Sequence, residues 1–149
     1  MHTLSRRSVS GLVLLVACWW TPAARSAAAD EVPLAIQGYD PVAYFADGKP
    51  VPGRPEITYD WDGYRYRFSS TGHRELFQAD PLRYAPQFAN FCAMALTRGD
   101  VVEANPAYWL ISDGKLYLFG NPNGPALFRQ GLAQHIAEAK QNEPHTLSR

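Results

Sequence analysis

ITYDWDGYRYRFSSTGHRELF, residues 57–77, is the stretch whose reading decides the fold. Two short runs, 57–61 and 64–68, flank Asp62 and Gly63. Asp-Gly tolerates left-handed backbone at both central positions of the tight hairpin turn, so the stretch opens as a β-hairpin. In the second run Tyr64, Tyr66 and Phe68 alternate with Arg65 and Arg67. That is the period of a strand with one aromatic and one basic face, and the arginines read as a solvated sheet face. The period then changes. Ser70 or Thr71 can cap a helix through about Ala79, with Leu76 and Phe77 inward and Asp80-Pro81 ending it. Residues 81–84 make a further helical turn.

Working outward, YWLISDGKLYLF (108–119) repeats the turn chemistry at Asp113 and Gly114 and is expected to close one sheet with the first hairpin. Between them QFANFCAMALTRG (87–99) reads as a helical segment stopped by Gly99 and apolar nearly all round. ALFRQGLAQHIAEAKQ (126–141) reads as an amphipathic helix with Leu127, Phe128, Leu132, Ile136 and Ala139 inward. On the other side, GYDPVAYF (38–45) offers Asp40 as N-cap of a short helix and Pro41 at its first position. Residues 46–56 are a loop rich in proline and glycine. The expected class is α+β: a small antiparallel sheet of two hairpins packed with three to four helices. HTLSR recurs at 2–6 and 145–149 by chance, and no longer repeat is expected.

Residues 1–29 read as a cleaved export signal. Arg6 and Arg7 precede the apolar run GLVLLVACWW, and small residues follow in AARSAAA. The run is too short to span a bilayer as a helix. An alternative is lipidation of Cys18 after LVAC, the one circumstance in which a membrane becomes a partner. Plain export to the periplasm or beyond is preferred. Residues 30–149 then form a single domain with a short tail from about 142. Arg6, Arg7 and Arg25 account for three of the 14 basic residues, so this part keeps 11 basic against 14 acidic ones. With no basic stripe, nucleic acid is not an expected partner.

The segments GYDPVAYF, YRYRFSSTGHRELFQADPLRYAPQF, FCAMAL and DGKLYLF together resemble a YHS domain protein of the exported bacterial type. The resemblance implies a small α+β domain associated with heavy metals. The metal-associated branch carries cysteines after Asp-Pro-Val and around the strand-to-helix turn. Here Ala43, Ser69 and His73 occupy those positions, so a thiolate-rich site is not expected there. The exported branch keeps one cysteine in the segment matching ANFCAMA. Its relatives place two glycines and a tyrosine where this chain has Ala89, Asn90 and Phe91.

Cys92 is left without a second cysteine in an oxidising compartment, where cysteines usually pair. It reads either as a small buried hydrophobe or as a functional thiol near a helix start. With His73 and Met94 it offers thiolate, imidazole and thioether, the ligand types that suit copper. The leading expectation is therefore a periplasmic binding module handling a transition metal, copper first, and not an enzyme by preference. A thiol-dependent enzyme using Cys92 with a histidine base is a second reading. A third is an interaction module contacting a ligand or a periplasmic protein through Tyr39, Asp40, Tyr44 and Tyr84. His135 and His145 read as solvent-facing.

Overall fold

The computed structural model describes residues 31–143. The expected leader, Cys18, His145 and most of the tail lie outside them. A 3-10 turn at Ala35–Gly38 leads into α1 (Ala43–Ala46), β1 (Arg54–Trp61), β2 (Tyr64–Phe68), α2 (Thr71–Ala79) and α3 (Pro81–Tyr84). Then come α4 (Ala93–Leu96), β3 (Asn105–Ser112), β4 (Lys115–Phe119), α5 (Gly124–Gln130) and α6 (Leu132–Gln141). The class is α+β. The hairpins do not merge: β1-β2 and β3-β4 are separate two-stranded antiparallel sheets. Among the described residues no helix is long and apolar enough to cross a membrane.

Both hairpins turn as their Asp-Gly pairs dictate. Asp62 and Gly63 have φ of 51° and 77°, and Asp113 and Gly114 have 50° and 69°. Ser70 caps α2 as expected, its Oγ accepting the His73 N–H at 3.2 Å. The first helix starts later than expected, with Val42 as its N-cap, and Asp40 Oδ1 instead closes the turn before it by accepting the N–H groups of Val42 at 2.8 Å and Ala43 at 3.4 Å.

The helix expected over 87–99 shrinks to Ala93–Leu96. Ala89 adopts a left-handed φ of 47°, and Phe91 bridges Glu103 in an antiparallel pair. There Cys92 N–H donates to Val102 O and Ala104 N–H donates to Asn90 O. These cross-chain bonds satisfy backbone groups that a longer helix would have satisfied internally. The C-terminal helix is broken at Gly131 into α5 and α6. Leu76 and Leu127, expected inward, are 48% and 44% exposed, whereas Phe77 and Phe128 are fully buried.

The chain is a structural duplication, against the expectation of no repeat. With a constant offset of 51 residues, β1, β2 and the start of α3 map onto β3, β4 and the start of α6. The strand register slips at matching places, Arg54↔Phe68 then Thr58↔Arg67, and Asn105↔Phe119 then Trp109↔Leu118. Tyr66, Phe68 and Phe77 recur as Tyr117, Phe119 and Phe128. Both phenylalanine pairs, Phe68–Phe77 and Phe119–Phe128, have ring centroids 5.3 Å apart. The loops match as well. Tyr39 bridges Pro52 and Phe91 bridges Glu103, while Asp40 N–H donates to Val51 O as Cys92 N–H does to Val102 O. In the bridge Cys92 pairs as Asp40 does, whereas as N-cap of its helix it corresponds to Val42.

The two core clusters follow the duplication only in part. Leu116 and Leu118 of the second hairpin pack into the first cluster with Ile36, Tyr44 and Phe77. The second cluster holds Phe88, Cys92, Leu96, Phe119 and Phe128. Asn90 fastens the units together, accepting from the Ile36 N–H at 2.7 Å and donating to Leu34 O at 2.9 Å. These bonds hold Ile36 at a φ of 49°, a left-handed conformation costly for a β-branched side chain.

Candidate functional site

In the first unit Asp40 is completely buried and heavily bonded. Its Oδ1 takes the hydrogen bonds of the turn before α1. Its Oδ2 accepts the Ser69 N–H at 2.8 Å, the Ser69 hydroxyl at 2.7 Å and His73 Nδ1–H at 2.7 Å. A buried carboxylate is tolerable only with such satisfaction, and here it ties the loop before α1 to the β2–α2 turn. His73, on the first turn of α2, has 18% of its side chain exposed, and its Nε2 carries no hydrogen bond among the described residues. The cluster joins Asp, Ser and His, but Ser69 donates to the carboxylate rather than to Nε2. It therefore lacks the relay in which histidine lies between hydroxyl and acid.

The same place in the second unit is hollow. Cys92 stands for Asp40 in the bridge, Gly120 for Ser69 and Gly124 for His73. A cavity of about 250 Å³ is lined there by Cys92, Met94, Arg98, Val102, Asn121 and Leu127, with Ala95 and Gly120 completing it. The turn before α5 keeps a matching bond, since Asn121 Oδ1 accepts the Gly124 N–H at 3.1 Å as Ser70 Oγ does that of His73. A side chain at 124 is blocked: a Cβ there would lie 2.7–2.8 Å from three Phe119 atoms. At 120 a Cβ would meet nothing closer than 3.4 Å and would stand 3.7 Å from the Cys92 Cβ. Gly120, at the position of Ser69, lines the cavity, whereas Gly124, at the position of His73, does not.

Cys92 and Met94 thus line one cavity, and His73 is not among its lining residues. His73 is bonded instead within the first unit. No hydrogen bond joins Cys92 to a histidine among the described residues, so the thiol-base dyad of the enzyme reading is not formed there. Among the described residues no group of three or more His, Cys, Asp and Glu side chains could hold a metal ion. Cys92 is the N-cap of α4, but that helix has only four residues and supplies little dipole. His135 is not simply solvent-facing: it stacks on Phe128 and its Nδ1 lies 3.0 Å from Phe128 O.

The candidate contact tyrosines are structural. Tyr44 is buried, donates to Pro106 O at 2.9 Å and meets Trp109 edge-on. Burial first, then Tyr39 and Asp40, holds its phenol well above the ordinary range. Tyr84 is buried edge-on to Phe45, and Tyr39 packs half-buried on the first cluster. These side chains present little surface to a partner, and Asp40 presents none.

The cavity's position was invisible to the reading of single segments. The signal lay in the recurrence of Asp-Gly, tyrosine and two phenylalanines at identical spacing, 51 residues apart. No protein-family profile, no curated protein and no solved structure matches the chain.

Proposed function

We propose that this protein is an exported, YHS-like binding module whose ligand site is the cavity over Cys92 and Met94. Its occupant would be a soft transition-metal ion, with Cu(I) first. The observation that carries the reading is that Cys92 and Met94 both line one cavity. Thiolate and thioether select Cu(I), whereas zinc demands a full tetrahedral set that these two residues do not make. His73, engaged by Asp40, drops out of the proposed ligand set. The duplication adds support, because Gly120 lines the cavity at the position where the first unit carries Ser69. Val102 and Leu127, apolar and partly exposed at the cavity, would face a periplasmic protein that delivers or takes the ion.

Elemental analysis after loading with Cu(I) under reducing conditions tests the reading. Wild type should retain about one copper per chain, Cys92→Ala none, Met94→Leu less, and His73→Gln as much as wild type. Absence of copper from folded wild type refutes the metal reading.

A further inference from the structure

We propose that the cleft between residues 31–34 and β2 binds a small carboxylate, with the Arg67 guanidinium as its anchor. This cleft lies on the opposite strand face from the one the aromatic residues of β2 cover, and it is separate from the Cys92 cavity. Its volume is about 310 Å³, lined by Glu31, Val32, Pro33, Leu34, Arg65 and Arg67. The solvated face expected for the two arginines describes neither of them fully, since both are partly buried.

The two arginines are in different states. Arg65 is committed, with Nε and Nη2 each 2.8 Å from the two carboxylate oxygens of Asp60. Arg67 takes part in no ion pair or side-chain hydrogen bond among the described residues. Its Nε is buried without a hydrogen-bond partner, a state shared by Arg74 Nε. Arg67 in addition lines a cavity, with its Cδ and Nη1 held over Gly38, where even an added Cβ would stand 3.5 Å away. That Nε is sealed from water, so a ligand oxyanion in the cleft would pair with the two Nη groups through charge-assisted hydrogen bonds, the stronger kind.

The duplication shows that the strand itself does not require a cation here. Arg65 and Arg67 correspond to Leu116 and Leu118, which are buried in the core. The leucines face the first core cluster, whereas the arginines face the cleft, and of the two only Arg65 is paired among the described residues. The lining also narrows the ligand. A guanidinium edge matches a planar carboxylate with two parallel hydrogen bonds. Val32, Pro33 and Leu34 suit a short apolar body. Glu31, close enough to Arg65 to act on its charge, opposes a second negative charge on the ligand. The class is a monocarboxylate with a short aliphatic chain rather than a phosphate.

Sodium butyrate is the probe, titrated calorimetrically into the full chain, with inorganic phosphate as the comparison. Saturable butyrate binding should weaken at least about tenfold in Arg67→Gln and measurably in Arg67→Lys, which keeps the charge but loses the fork. Cys92→Ala should bind butyrate like wild type, so this proposal and the copper reading fail separately. If Arg67→Gln does not fold by circular dichroism, Arg67→Lys decides. No saturable binding to wild type, or undiminished affinity in the folded Arg67 variants, overturns the proposal. Phosphate binding tighter than butyrate overturns the choice of a monocarboxylate.

Discussion

Replacing Asp40 with alanine removes the one carboxylate that the core of the first unit encloses. The donors left behind set the cost. Val42 N–H is fully buried and cannot reach water, while Ser69 and His73 are only partly buried and can turn toward it. A hydrogen bond to a charged acceptor contributes about 1.5–3 kcal/mol net, and an orphaned buried donor costs about 1–3 kcal/mol. Counting the Val42 and Ser69 backbone bonds in full, and the two side-chain bonds as largely replaced by water, gives a loss of about 3–4 kcal/mol. Release of the carboxylate's own desolvation penalty keeps the figure from rising further. Asp40→Asn should lose about 2 kcal/mol: one oxygen still closes the turn before α1, but the amide nitrogen now faces the Ser69 N–H. Urea titration followed through Trp61 and Trp109 fluorescence reads both values, with an unchanged slope confirming that only stability moved. A loss below about 1 kcal/mol for Asp40→Ala refutes the fastening role of the cluster.

Three further outcomes follow from the same geometry. Gly124→Ala drives a Cβ into Phe119 and should destabilise by about 1–3 kcal/mol in the same titration. Gly120→Ser sets its Cβ without a clash, should change stability by less than about 1 kcal/mol, and places a hydroxyl beside Cys92, lowering copper retention in elemental analysis. Tyr44, Tyr64 and Tyr117 all have phenols raised by burial, so each ionises more readily in the unfolded chain. Their contribution is complete below the unfolded value near about 10 and is lost as pH rises toward the folded values. Urea midpoints should therefore fall above about pH 10. Tyr44→Phe should flatten that fall while costing about 1 kcal/mol at neutral pH for its bond to Pro106.

Local chemistry made the hairpins and the Ser70 cap legible. Each depends on residues within three positions of one another. The segment 87–99 misled because its apolar composition says nothing about backbone partners, and these came from residues 102–104. Leu76 and Leu127 misled in the same way at equivalent positions. Each short helix buries the adjacent phenylalanine against its own hairpin, and the leucine is turned outward. Asp40 and His73, 33 residues apart, could not be joined from local pattern. For the cavity, the informative quantity was the spacing between two hairpins of unlike strand composition.

The duplication also separates what the fold needs from what it carries. The backbone bonds of residues 38–40 to 51–53 recur at 90–92 and 102–104 with different side chains, so these bonds set the frame. In the first unit the frame encloses a carboxylate that holds two loops together. In the second, Asn121 closes the turn before α5 unaided, and nothing polar is asked of position 92. Glycine at 124 is enforced by Phe119, whereas at 120 an added Cβ would meet nothing closer than 3.4 Å. Space beside Cys92 is thus kept open at a position where packing alone would accept a Cβ.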